Sequence, residues 1–498
     1  MDFLRNLTDW MLAVNDFVWQ PAVMPAVLLL VGGWLTYHSG FVQIRRFPMA
    51  VRRTLRGAFR VSKGDSGTIT PFQALSTALA ATVGNGNIGG VATAILVGGP
   101  GAIFWMWMCA TVGMATKYSE AVLGVHFRVR RRTGELASGP MYYIARGVPH
   151  PRLARSLAIM FAFFGACTAL LGTGNMAQSN TIARTFVEAV RANAGLALPL
   201  WAPGVLVTVI VGLVLIGGIR RIAATAEKLV PTMIVIYVFA SAAYLLINID
   251  GVPRVFTMIL GQAFTPTAAV GGFVGAGIAQ GIAAGVSRGV LSNEAGLGSA
   301  PIAHGIAQVT HPVEQGVLGV MEVFIDTIVV CSMTAFVILD SGLWTEAGYQ
   351  SASGDLTSAA MSTAIPFAAI IVALSSFLFG FSTLIGWCYY GEKCFEYLFG
   401  SKMVKPYRVT FVALIMLGSV ISVPVAWALG TMLNGFMAFP NLIGLAFLGG
   451  TVAMLTVDYF SGTRRCDTAA PEPLDLIAAE EPAVPDARLP DRTISTSV

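Results

Sequence analysis

Charge is what this chain lacks most. Only 11% of its 498 residues are charged, where soluble domains carry about a quarter. With 55% hydrophobic residues and a mean hydropathy of +0.72, a soluble globular fold is excluded. Cysteine is scarce as well. The six cysteines show no CxxC spacing, so no zinc or dithiol motif is written in the chain. Four of them (Cys109, Cys167, Cys331, Cys388) lie in apolar runs, as a small buried hydrophobe does. The five histidines are scattered without ligand spacing. No P-loop, HExxH or GxSxG motif accompanies a plausible soluble site, so no enzyme chemistry is expected. Residues 1–20 carry Asp2, Asp9 and Asp16 and do not read as a cleavable signal peptide.

Long apolar runs are what the chain has instead. Segments close to the roughly 20 residues that cross a bilayer recur near 21–37, 71–97, 101–127, 153–178, 203–219, 229–248, 267–306, 313–339, 364–390, 404–429 and 436–458. The runs are continuous rather than alternating, which argues against a β-barrel. The expectation is an all-α polytopic membrane protein of about eleven transmembrane helices. Its parts would be a leading helix and basic loop (1–70), two five-helix units (71–250 and 265–460) and a disordered tail (461–498) rich in Ala, Pro, Asp and Glu.

Basic residues give a direction. Of 31 Lys and Arg, 25 fall in loops 38–70, 128–155, 220–228, 391–408 and the tail. Four (Arg5, Arg184, Arg191, Arg254) fall on the opposite side. The positive-inside rule then puts the N-terminus outside and the C-terminus in the cytoplasm of a cell-membrane protein. This asymmetry accounts for the formal charge of +5, and no nucleic-acid partner is needed.

Two segments are interrupted. The second contains AATVGNGNIGGV at 80–91, with four glycines and two asparagines in a charge-free span. The seventh, from Gly271 to Gly298, is as rich in glycine and includes Gly281 and Gly285. Mid-helix glycine costs about 1 kcal/mol relative to alanine. Unwound backbone at membrane depth is tolerated only where it is buried or lines a cavity. The plain alternative is close helix packing through small residues. Asn85 and Asn87, however, need partners in such a span. The two interruptions lie five segments apart, so segments 2–6 and 7–11 form an inverted pair. Secondary transporters with paired broken helices at a central substrate site are built this way.

These residues carry a resemblance. GNGNIGGVATAI, GGPGAIFWMWMCATVGMATKYSE, GPMYYI at 139–144, GIRRIAATAEKLVP at 218–231, RGVLSNEAGLGSAPIAH at 288–304 and GWCYYGEK at 386–393 resemble the alanine or glycine:cation symporter family. The resemblance spans roughly 20–460. It implies a leucine-transporter-type fold, a 5+5 inverted repeat with one extra N-terminal helix. It also implies sodium-coupled import of small neutral amino acids, alanine and glycine. By the same resemblance, Gly84, Asn85, Gly86 and Asn87 bind substrate at the first break, with Gly281 and Gly285 in the second broken segment. Gln178 and Trp387 complete the pocket, although a smaller or less polar residue than Asn85 is usual there. Ala80 and Val83 carbonyls with Ser382 and Thr383 hydroxyls are the implied sodium ligands. Sodium is then the coupling ion, and no organic cofactor is expected.

Residue chemistry leaves several alternatives open. Ser382 and Thr383 either supply oxygens to a cation or bond back to their own helix. Gln178 either meets substrate or makes an interhelical hydrogen bond. Glu322 and Asp326, one turn apart, suit a proton relay, a second cation site or a structural network with Arg288 or Asn293. Proton coupling is therefore the first rival, and a passive channel the second. Lys117 and Glu120 read as a local i, i+3 pair. Arg288 and Glu294 read as a gate pair on the cytoplasmic half of segment seven.

Overall fold

The computed structural model describes residues 2–59, 68–131, 134–264, 274–346, 348 and 353–462. The expected tail beyond Gly462 and the Gly271–Phe273 start of segment seven lie outside the described residues. Helices dominate. The strands among the described residues form one hairpin, Val129–Arg130 against Leu136–Ala137, with Val129 opposite Ala137. An Arg131–Glu396 ion pair ties that hairpin to the end of the long helix Ala368–Phe399.

Among the described residues, six helices are long and apolar enough to cross a membrane: Pro151–Arg191, Gly218–Ile247, Pro312–Ser341, Ala368–Phe399, Ser401–Val420 and Val425–Ser461. A seventh span is the pair Pro71–Thr82 and Asn85–Gly98, bent by 55°. Met24–His38 and Trp201–Leu215 are shorter apolar helices. Exposed apolar side chains such as Leu30, Leu213, Phe239 and Val409 lie along these helices, as a lipid-facing surface requires.

The first bend follows from local hydrogen bonding. Thr70 and Gln73 form a reciprocal capping box at 3.1 Å, with Pro71 in the first turn. The helix ends at Thr82 because the Gly84 N–H donates to Asn87 Oδ1 at 2.8 Å. The Ala80 carbonyl therefore loses its i+4 donor. Asn85–Asn87 form one tight 3₁₀ turn, and Gly89 restarts the helix.

The second break is sharper. Val274–Asn293 is helical, and then Asn293 Oδ1 accepts the Ala295 N–H at 2.9 Å. Glu294, Gly296 and Gly298 follow with φ of 56°, 92° and 82°. Glycine is needed at 298, where a Cβ would lie 2.7–2.8 Å from Phe161, Pro140 and Asn441.

Two further interruptions are absent from the sequence reading. Segment four stops at Leu171 and resumes at Met176. Segment eight passes through a π-helical stretch, Phe324–Cys331, which holds Asp326 and Thr327.

Candidate substrate and cation site

Three interruptions and two continuous helices converge on one small cavity. The first break contributes Gly84 and Gly86, and the interruption of segment four contributes Thr173 and Gln178. Leu291 and Glu294 come from the second break, Thr383 and Trp387 from the helix Ala368–Phe399, and Trp427 from Val423–Ser461.

Gln178 fastens two of these interruptions together. Its Oε1 accepts the Asn85 N–H at 3.1 Å, and its Nε2 donates to Thr173 O at 3.1 Å. The Gly84 and Asn85 N–H groups are thus engaged by Asn87 and Gln178 side chains. Gly174 lets Trp387 approach, since a Cβ there would sit 2.7–2.8 Å from the indole. The Trp387 indole N–H donates to Glu294 Oε1 at 2.7 Å, and Ser299 donates to Glu294 Oε2.

The two asparagines of the opening motif part company. Both are fully buried, and neither side chain lines the cavity. Asn85 Oδ1 accepts from Ser376 Oγ at 2.7 Å. Asn87 Nδ2 donates to Asp326 Oδ1 at 2.7 Å. Ser292 Oγ reaches the same Oδ1 at 3.0 Å, and Thr327 Oγ1 donates to Oδ2 at 2.7 Å. One carboxylate therefore bridges the first break to the second. Gly281 and Gly285 are not brought to the cavity. Gly281 packs tightly on Gly98, and Gly285 packs on Ala102 and Trp105, where a Cβ would collide with the Ala102 carbonyl. Close helix packing is what those two glycines do here.

Of the expected cation ligands, Ser382 and Thr383 lie against the first break. Ser382 Oγ lies 3.5 Å from Val83 O, while its main bond runs back to Phe379 O at 2.8 Å. Thr383 does not bond back: its buried Oγ1 has no hydrogen-bond partner among the described residues. That hydroxyl faces Gly84, 2.5 Å from where a Cβ would stand. Carbonyls and hydroxyls without a formal charge suit a hard monovalent cation. An orphaned buried hydroxyl, costly if left unmatched, fits a missing ligand.

Buried charges pair differently from the sequence expectation. Lys117 does not form a local pair with Glu120. Its Nζ is 3.1 Å from Glu322 Oε1, and Glu322 Oε2 meets His304 Nε2 at 2.9 Å. Glu120 Oε1 instead accepts the Gly296 and Gly298 N–H groups at 3.1 Å each and Asn441 Nδ2 at 2.7 Å. Arg288 partners neither Glu322 nor Asp326. It precedes the break and lies over the Trp427 ring, 5.9 Å from its centre. No ion pair joins Arg288 to Glu294 among the described residues, so the expected gate pair is not formed. Glu294 belongs to the cavity. The non-glycine residue inside NEAGLG was the available signal.

The profile of the sodium:alanine symporter family matches residues 4–471. The chain belongs to that family. Similarity to individual members is high along its length. The sodium/alanine symporter AgcS of Methanococcus maripaludis is 44% identical over 92% of this chain and 97% of its own. A putative sodium/proton-dependent alanine carrier protein, YrbD of Bacillus subtilis, is 33% identical over 91% and 92%. Among solved structures, MhsT in complex with L-phenylalanine aligns with 79% of this chain and 99% of its own, at 11% identity and a TM-score of 0.49. This symporter-family member is a multi-pass membrane transporter and not an enzyme.

Proposed function

We propose that the chain is a sodium-coupled symporter importing small neutral amino acids, alanine and glycine, across the cell membrane. Its two five-helix units, 71–250 and 265–460, would form an inverted repeat of the leucine-transporter type. Alternating access would turn on the breaks at Gly84–Ile88 and Glu294–Ala300. The observation that carries this reading is the convergence of both breaks, Gln178 and the unpartnered Thr383 hydroxyl on one cavity. Sodium would be held by the Val83 and Ala80 carbonyls with Thr383 and, more weakly, Ser382. Substrate would occupy the space between Gly84, Gly86, Gln178 and Trp387. Asn87 would act at one remove, by holding the first break open through Asp326. The large indole of Trp387 favours small side chains, yet one methylene is discriminated by only about 1–3 kcal/mol. Glycine and alanine should therefore compete. The N-terminus would lie outside and the C-terminus inside, the orientation that the 25-to-four distribution of basic residues favours.

Proton coupling is the second reading. The buried Lys117–Glu322–His304 chain favours it. Uptake of labelled L-alanine into proteoliposomes tests both. Accumulation driven by an inward sodium gradient at equal pH supports sodium symport. Accumulation driven only by a pH gradient in sodium-free buffer transfers coupling to the carboxylate chain. Equilibration without accumulation under either gradient makes the protein a passive facilitator.

A further inference from the structure

The cavity has one ionisable side chain among the residues that line it, Glu294. The other polar lining groups are the Thr82, Thr173 and Thr383 hydroxyls, the Gln178 amide and backbone at Gly84 and Gly86. Glu294 is 2% exposed and has no ion pair among the described residues. Lys117 is committed to Glu322 at 3.1 Å, and Arg288 lies over the Trp427 ring. A carboxylate removed from water in this way is stabilised by a positive partner or by a proton.

Its placement is also constrained. Glu294 holds φ of 56°, a left-handed conformation that non-glycine residues rarely adopt. Glycine is available in the same segment at 296 and 298, so this backbone conformation is not avoided by composition. Strain of this kind persists where surrounding contacts impose it, and it concentrates at ligand sites. The contacts are visible: Trp387 Nε1 holds Oε1 at 2.7 Å, and Ser299 holds Oε2. Each oxygen keeps further lone-pair capacity. Trp387 and Trp427 line the same cavity.

The geometry points to Glu294 as the receptor for the substrate's ammonium group, with Trp387 and Ser299 as its positioning residues. This rests on the amino-acid transport reading and deepens it. Glu294 fixes the polarity of the bound zwitterion. The ammonium end lies at the second break, and the carboxylate end is repelled toward Gly84, Thr383 and the cation they would share. The site would then reject carboxylic acids that lack an ammonium group, whatever their size.

The test is equilibrium binding to the purified full-length protein in saturating sodium, read by displacement of labelled L-alanine. Competitors are L-alanine and propionate, on wild type and Glu294→Gln. The glutamine keeps an acceptor for Trp387 and removes the charge. Loss of one charge-assisted bond predicts alanine affinity about 10–100-fold weaker in E294Q. Propionate affinity should be unchanged, so the alanine-to-propionate ratio collapses. Three results overturn the assignment: E294Q binding alanine within threefold of wild type, alanine and propionate weakening in parallel, or propionate matching alanine on wild type. The last needs no variant and holds even if E294Q does not fold. If wild type binds no alanine in sodium, the transport reading itself fails, which is distinct from E294Q retaining affinity.

Discussion

Replacing Asp326 should separate the two halves of the site, and its cost can be worked from the contacts. The carboxylate accepts Asn87 Nδ2 at 2.7 Å, Ser292 Oγ at 3.0 Å and Thr327 Oγ1 at 2.7 Å. Asp326→Ala takes the carboxylate acceptor away from three buried donors. Asn87 retains the main-chain carbonyl of residue 326 at 3.2 Å and Cys331 Sγ at 3.3 Å, and Ser292 retains only Cys331 Sγ at 3.3 Å; sulfur is a weak acceptor. Thr327 can turn to another acceptor. At about 1–3 kcal/mol for each orphaned donor, D326A should cost roughly 2–5 kcal/mol. Asp326→Asn keeps one oxygen for Asn87 and Ser292. It presents its NH₂ to Thr327, whose hydroxyl can accept instead. It loses mainly the charge-assisted component, about 1–2 kcal/mol. Thermal unfolding of the purified protein, followed by tryptophan fluorescence, should rank wild type above D326N above D326A. Sodium-driven alanine uptake should survive in D326N at reduced rate and vanish in D326A. Equal melting of D326A and wild type, or D326N melting below D326A, would refute the bridging argument. A D326N protein that loses proton dependence while keeping full stability would mark Asp326 as a proton carrier instead.

Further substitutions probe the rest of the site. Gly174→Ala drives a methyl to 2.7 Å from the Trp387 ring; overpacking of this kind costs about 1–3 kcal/mol, and alanine uptake should fall with it. Thr383→Val removes the unpartnered hydroxyl and should raise the half-saturating sodium concentration roughly tenfold with little change in uptake at saturating sodium. Ser382→Ala should shift it less, because Ser382 already donates to Phe379 O at 2.8 Å. Glu120→Ala leaves two backbone N–H groups and an amide without their acceptor. It should destabilise by about 3 kcal/mol or more, and Glu120→Gln by less, as read by thermal unfolding.

The helical membrane fold was legible from composition, and the first break from its stacked glycines and asparagines. Ser382 and Thr383 meet the first break at Val83 and Gly84, because the resemblance is long enough to carry their register. What stayed hidden was non-local. Lys117 and Glu322 stand 205 positions apart, and nothing in either segment names its partner. The interruption at Leu171–Met176 is written only in a short GTGN run, too slight to distinguish from small-residue packing. Gly281 and Gly285 misled for the opposite reason, since glycine serves a close helix crossing as readily as an unwound one. The asparagine and glutamate roles depended on side-chain direction. Asn87 turns away from the cavity and Glu294 turns into it, and a linear motif encodes neither.

The anchoring of the second break by Glu120 limits how this molecule moves. Gly296 and Gly298 hang from a carboxylate on the helix Gly101–His126, which also grips Asn441 on the C-terminal helix. The joint is therefore clamped to its neighbours rather than loose. If the helices rock, this point travels with its clamp as one body, and bending is displaced to the ends of the unwound segment. Glu120 acts as a pivot pin: it sets where the machine flexes without touching what the machine carries.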